Sequence, residues 1–270
     1  MSQDAIIVRD RRFGRDRPMA RWWMDGNPWA TAIFNSLSIS FPRGEAFFID
    51  SVRSFREGAP DGLSGDIRAF IAQEVNHSRE HVAFNRMVGD AGYDVAPLDK
   101  DVEDALAVTR GRPPIVNLAA TIALEHFTAM FAHQLLKDPA FLKGADPEQA
   151  ALWRWHAVEE IEHKAVAYDT FLHATRDFGA WKRWKLRAIM MLVATQRFVH
   201  FRYRGALLLL AQDGITGWRA HAGLLRELLV RPGIARRILP HWIGYFRPGF
   251  HPWKLDDRYL IENGEADAAA

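Results

Sequence analysis

The chain has 270 residues, 49% of them hydrophobic and 12% aromatic, which is too apolar for a disordered chain and long enough to bury a full core. It contains no cysteine, which excludes disulfides, zinc–thiolate sites and iron–sulfur ligation. The net charge of +2 hides an asymmetry: Arg176 to Arg258 holds 16 Lys+Arg against 5 Asp+Glu, an excess of 11, so the remainder is acidic overall. The opening stretch MSQDAIIVRDRRFGRDRP lacks the apolar core of a secretory signal. No run of about 18 uncharged apolar residues occurs, so no spanning helix is expected and the cytoplasm is the default compartment.

In chain order, an arm over residues 1–26 is Arg-rich, then aromatic at Trp22 and Trp23, and is expected to carry little regular structure. Asn27-Pro28 spells a helix start, with Pro at the first helical position. Ser40-Phe41-Pro42 predicts an interruption, followed by a second segment from Pro42 to Glu57 that carries Glu45. A helix from Ser64 to Asp90 follows, with Ile67, Phe70, Ile71, Val75, Val82 and Met87 at helical spacing. A short helix over Asp99 to Arg110 leads to a long one from Pro113-Pro114 to Leu136. Asp146-Pro147-Glu148 opens a helix expected to run to Arg176. Two more cover Trp181 to Gln212 and Gly217 to Val230, and a Pro/Gly-rich tail follows Arg231. No segment alternates like a strand. The expected fold is all-α: a four-helix bundle over 27–178, with C-terminal helices and tail over 179–270 packed on it as one structural domain.

Two copies of one spelling carry the chemistry, Glu74-Val75-Asn76-His77 and Glu160-Ile161-Glu162-His163. Residues i and i+3 share a helix face, so each copy offers a carboxylate and an imidazole to one ion. Glu45 lies 29 residues before Glu74, and Glu125 lies 35 residues before Glu160. The order Glu, Glu-x-x-His, Glu, Glu-x-x-His is the donor pattern of a dinuclear centre inside a four-helix bundle. The expected metal ligands are therefore Glu45, Glu74, His77, Glu125, Glu160 and His163. His156 stands one turn before Glu160 on the same face and is added as a third imidazole, which makes the two metal positions unequal. Glu80, Glu159 and Glu162 are read as surface groups or as supports behind the ligands, as is His81. His126 points about 100° away from Glu125 around the helix and is left out.

The spelling His156-x-x-x-Glu160-x-x-His163 resembles the ferritin-like di-iron N-oxygenases of the p-aminobenzoate type. The segments FPRGEAFFIDSVR, QEVNHSREHVAFN, ALEHF and WHAVEEIEHKAVAYD, with the Phe250-His251-Pro252-Trp253 tail, resemble the bacterial family of predicted metal-dependent hydrolases. The resemblance spans Phe41 to Asp169 plus that tail. It implies a ferritin-like fold and a di-metal site at the residues named above. The basic, aromatic C-terminal third has no counterpart in the N-oxygenases, so their arylamine substrates are not carried over.

A carboxylate-rich set without thiolate suits two iron ions, or a manganese–iron or manganese pair. The first expectation is an O2-activating oxidase or oxygenase that uses O2 as co-substrate and an external electron donor. The alternatives are a metal-dependent hydrolase using metal-activated water, and a non-catalytic or ferroxidase-type metal-handling protein. The substrate is expected to be a small molecule, hydrophobic or acyl in one reading. Arg and Trp beside apolar runs in the helix after Trp181 fit packing on the bundle, with peripheral contact to anionic lipid as the competing reading. A homodimer stays open, and nothing spells a nucleic-acid motif.

Overall fold

The computed structural model describes residues 6–15 and 17–262. Its helices are α1 (Pro28–Arg53), α2 (Asp61–Asp90), α3 (Ala96–Ala107), α4 (Pro114–Lys137), α5 (Pro147–His163), α6 (Val166–Ala174), α7 (Ala180–Gln212), α8 (Gly217–Leu229) and α9 (Ile234–Gly244), with 3-10 turns at Pro139–Phe141 and Pro252–Lys254. The described residues form no strand, only an isolated bridge between Met24 and Ala145. The chain is all-helical, as its patterning predicts.

Starts follow the local chemistry. The Asn27 side chain accepts from the backbone N–H groups of Trp29 (3.0 Å) and Ala30 (3.1 Å), ahead of Pro28. Asp146 caps α5 in the same way, ahead of Pro147.

Pro42 does not interrupt α1, contrary to the expectation from sequence. A mid-helix proline deprives the carbonyl four residues back of its N–H partner. Here that carbonyl belongs to Ser38, and Asn85 Nδ2 of α2 donates to it at 3.2 Å. Two neighbouring carbonyls also gain donors, Leu37 from the Ser40 hydroxyl (2.6 Å) and Ser36 from the Arg202 guanidinium. The helix survives because other side chains satisfy the turn that the proline opens.

The predicted helix to Arg176 is two helices. α5 ends at His163, and Lys164 turns its ammonium to Asp257 and to the Leu255 carbonyl (2.8 Å) in the tail. His133 of α4 meets the same Asp257 through Nδ1 at 3.2 Å. The tail is also more regular than expected. α9 forms there because Ile234 and Ile238, one turn apart, bury themselves against α4 and α7 residues such as Phe127 and Met191.

α1 packs on α2 and α4 on α5, and the pairs meet through α1–α4 and α2–α5. α7 lies across α1 and α4, α8 against α1, and α9 against α4. Two close approaches need glycine: a Cβ on Gly223 of α8 would sit 2.0 Å from Trp29 Nε1, and one on Gly205 of α7 would sit 2.5 Å from Ser36 Oγ.

α4 bears on the expectation that no helix spans a membrane. It is long and apolar enough to cross a membrane by length and composition, yet 61% of its apolar window is buried inside the protein and Glu125 lies within it. Its apolar faces are those of a bundle's central helix.

The bundle core is divided. Leu37, Ile39, Phe84, Val88 and Trp153 pack at one end, and Phe48, Val52, Ile67, Phe70 and Ile122 at the other. Along α1, α2, α4 and α5, the residues between these two apolar layers are charged.

Candidate metal centre

The seven sequence-predicted side chains meet in that charged layer: Glu45 from α1, Glu74 and His77 from α2, Glu125 from α4, and His156, Glu160 and His163 from α5. All are buried, with at most 4% of any residue exposed. They form three overlapping groups able to hold a metal ion: Glu45, His77 and His156; Glu74, His77 and Glu160; Glu74, Glu125 and His163. Within each group, one donor atom per residue lies within 4.8 Å of the others.

Two carboxylates divide their oxygens between the halves of this cluster. Glu74 sets Oε1 at 3.2 Å from His163 Nε2 and Oε2 at 3.9 Å from His77 Nδ1. Glu160 sets Oε2 at 3.5 Å from His163 Nε2, while its Oε1 lies 2.8 Å from His156 Nε2 and 3.9 Å from His77 Nδ1. The other two carboxylates each serve one half. Glu45 Oε1 is 3.9 Å from His156 Nε2, and Glu125 Oε2 is 3.7 Å from His163 Nε2. One half therefore offers two imidazoles and the other a single one.

The outer nitrogen of each histidine is held, and the hydrogen-bond network assigns its tautomer. Gln73 Nε2 donates to the Ile7 carbonyl (3.0 Å) and to Glu162 (2.9 Å), so Gln73 Oε1 faces His163 Nδ1 at 2.9 Å and accepts from it. Glu159 Oε2 accepts from His77 Nε2 at 3.0 Å. The Ser38 hydroxyl donates to Asn85 Oδ1 (2.7 Å), accepts from His81 Nδ1 (2.8 Å), and leaves His81 Nε2 to accept from His156 Nδ1 (2.7 Å). All three imidazoles thus turn inward the nitrogen that a metal ion would take: Nδ1 of His77, Nε2 of His156 and Nε2 of His163. Such outer partners are what fixes a metal-binding histidine.

The supports are reciprocal. Gln73 precedes Glu74 and holds the histidine of α5, while Glu159 precedes Glu160 and holds the histidine of α2. The described residues of the N-terminal arm form no helix, and Arg9 and Phe13 of the arm close the back of the site. Arg9 donates its backbone N–H to Glu159 (3.1 Å) and its guanidinium to both oxygens of Glu162 (2.9 and 2.7 Å). Glu80 is fully buried behind α2, where it accepts from Phe13 N (3.1 Å) and pairs with Arg15 (2.5 Å) and Arg79 (2.7 Å). His126 stays outside the cluster, with its Nε2 3.2 Å from the His241 carbonyl, and burial pulls its pKa down to about 4.

Electrostatically the cluster is dominated by its buried carboxyls. Burial pushes the carboxyls of Glu45, Glu74 and Glu125 well above the ordinary glutamate range. Burial acts on Glu160 in the same direction, but His163 and His156 outweigh it and hold that carboxyl well below. Burial also keeps His77 and His81 neutral. Glu45 Oε1, both oxygens of Glu74 and Glu125, Glu160 Oε2, His77 Nδ1 and His163 Nε2 are buried without any hydrogen-bond partner among the described residues. Leaving so many polar atoms unpaired costs several kcal/mol, unless something binds them together. These are the inward donor atoms, and oxygen with imidazole donors suits divalent iron, manganese or zinc. The residues present fit such an ion.

A cavity of about 600 Å³ reaches the cluster at His156 and Glu160. Its walls include Phe34, Leu37 and Phe41 of α1, Phe131 and Leu135 of α4, and Trp153 of α5.

No curated protein and no solved structure matches this chain. The family described as predicted metal-dependent hydrolases matches it over residues 7–256, which spans the arm, the bundle and the tail through Asp256. The chain belongs to that family of predicted metal-dependent hydrolases.

Proposed function

We propose that the seven-residue cluster holds two divalent metal ions and that the protein is a di-metal hydrolase acting on a small, largely apolar molecule admitted through the cavity. The observation that carries the two-ion reading is the division of Glu74 and Glu160, each with one oxygen toward either half. Glu45, His77 and His156 would complete one half, and Glu125 and His163 the other. Family membership supports hydrolysis as the reaction. Bound there, a metal pair supplies Lewis acidity and lowers the pKa of water, giving a nucleophile at neutral pH. The chain's own part is to orient and to dry the site. Phe41, Phe131, Leu135 and Trp153 exclude water and seat an apolar substrate. The three imidazoles present one nitrogen each to the site, and burial keeps His77 among them neutral.

A second reading rests on the donor set itself. Four carboxylates can balance two divalent cations, and a dry apolar approach suits an iron or manganese–iron pair that uses O2 with an external electron donor. One experiment tests both. Protein reconstituted with iron, manganese or zinc is assayed for bound metal, for cleavage of an ester and amide panel without oxygen, and for oxygen uptake. Two ions per chain with anaerobic cleavage supports the hydrolase. Oxygen uptake without anaerobic cleavage transfers the function to the oxidase. A single ion per chain overturns the two-ion centre.

A further inference from the structure

The cavity changes character along its length. Near His156 and Glu160 its walls are aromatic and aliphatic, with Phe41, Phe131, Leu135 and Trp153 among them. Polar groups there are few. Thr128 spends its hydroxyl on the Glu125 carbonyl (2.9 Å), and the Trp153 indole N–H has no partner among the described residues. A volume of about 600 Å³ lies within the range of small-molecule sites.

Exposure marks the outer end, where α8 turns into α9. Lys143, Arg226 and Arg231 line the cavity and are exposed. None of the three is in an ion pair among the described residues. Arg237 also lines it, but is committed to Asp138 (2.9 Å) and the Pro232 carbonyl (2.9 Å). Two acids stand there as well: Asp25, and Glu227, which accepts from Asn27 Nδ2 at 3.0 Å. The balance at the mouth is cationic, and the uncommitted donors are the lysine and the two arginines. Guanidinium groups favour carboxylate and phosphate heads, which they can bind through two parallel hydrogen bonds. Val230, at the same rim, is an exposed apolar residue.

We propose that this cavity takes a single-chain amphiphile with an anionic head group. Its chain lies along the aromatic wall toward His156 and Glu160, and its head is held at the mouth by Lys143, Arg226 and Arg231. The proposal rests on reading His156 and Glu160 as part of the metal centre, and it places the reacting atom on the chain, remote from the head. An apolar wall alone would accept alkanes, alcohols and acids alike. The cations at the mouth are what selects the acid.

The test is a binding titration of metal-free protein with dodecanoate and, separately, with dodecanol. The wild type is compared with a double variant, Arg226→Glu with Arg231→Glu, whose surface positions leave the core untouched. Dodecanoate should bind, with an affinity that falls as salt rises. The variant should weaken it about tenfold while leaving dodecanol unchanged. Equal effects on acid and alcohol, or no binding of dodecanoate, overturn the proposal. Metal content measured on the same samples separates the two readings. Two ions per chain without dodecanoate binding leaves the centre standing and removes the ligand. Charge-dependent dodecanoate binding in a protein that takes up no metal supports the ligand and removes the centre. Cosedimentation with phosphatidylglycerol vesicles carrying dodecanoate marks a bilayer source, and binding without cosedimentation a dissolved one. Both outcomes support the amphiphile.

Discussion

His81 Nε2 stands 2.7 Å from His156 Nδ1, and this contact ends a chain of hydrogen bonds that begins at a proline. Pro42 leaves the Ser38 carbonyl free, and Asn85 Nδ2 takes it. Asn85 thereby presents Oδ1 to the Ser38 hydroxyl, which orders the protons of His81 and then of His156. His156 is left with Nε2 as the nitrogen that faces Glu160 and Glu45. His81→Ala should keep the fold but lower metal affinity in the two-imidazole half by about 10- to 100-fold. Competition with a chelator of known affinity measures it. An unchanged affinity would mean that His81 has no part in positioning His156.

The divided carboxylates make a sharper prediction. Glu74→Ala or Glu160→Ala should remove both ions, because each takes an oxygen from either half. Glu45→Ala should release one ion and Glu125→Ala the other, so each single variant retains about one ion per chain. Metal analysis after desalting reads the difference. Identical behaviour of all four variants contradicts the division.

Loading should release protons. Glu45, Glu74 and Glu125 have their carboxyls raised by burial in the metal-free protein, so they carry protons that a cation must displace. Affinity should therefore rise with pH and fall as pH drops. Calorimetric titrations in buffers of different ionisation enthalpy count the protons. Stability of the metal-free protein runs the opposite way with pH. The contribution of these raised groups is full below the ordinary glutamate value of about 4.5 and is lost as pH rises through their folded values. His77 and His81, lowered by burial, act oppositely and cost stability only as pH falls below about 6.5. Above that point these two histidines no longer oppose the carboxyls, so the melting temperature of metal-free protein should fall as pH rises through neutrality, and loaded protein should not follow it.

Gly223→Ala tests the packing of α8 on α1. The added Cβ would meet the Trp29 indole at 2.0 Å, which neither ring nor backbone can absorb without moving. Overpacking of this kind costs about 1–3 kcal/mol, read as a lower denaturant midpoint. Because Asn27, Ala30 and Arg226 border the cavity mouth, this variant should also weaken ligand binding there.

The grouping of these seven side chains was legible because its period is local: Glu-x-x-His and His-x-x-x-Glu are properties of a single helix face. The supports were less so. Gln73 and Glu159 each precede a Glu-x-x-His, in QEVNH and EEIEH, so a shared spelling was present, but each acts on the other helix and only packing shows the crossing. Arg9 lies in a segment without periodicity, where sequence gives no register against α2 or α5. Pro42 reads as a breaker because helix rules are local, whereas its compensation comes from Asn85 and Arg202, far along the chain. The end of α5 at His163 was hidden for the same reason: Lys164 is a sound helix residue whose partner lies in the tail.

That partner sets an order of events. Each of the seven cluster side chains lies between Glu45 and His163, yet the acid that neutralises Lys164, immediately after His163, is residue 257. A ribosome therefore completes all the metal donors well before it makes the residue that seats the end of α5. Lys164 Nζ finds its polar partners, the Asp257 carboxylate and the Leu255 carbonyl, in the tail. The end of α5, and with it the backbone that carries His163, is therefore seated only once the chain has been made through Asp257.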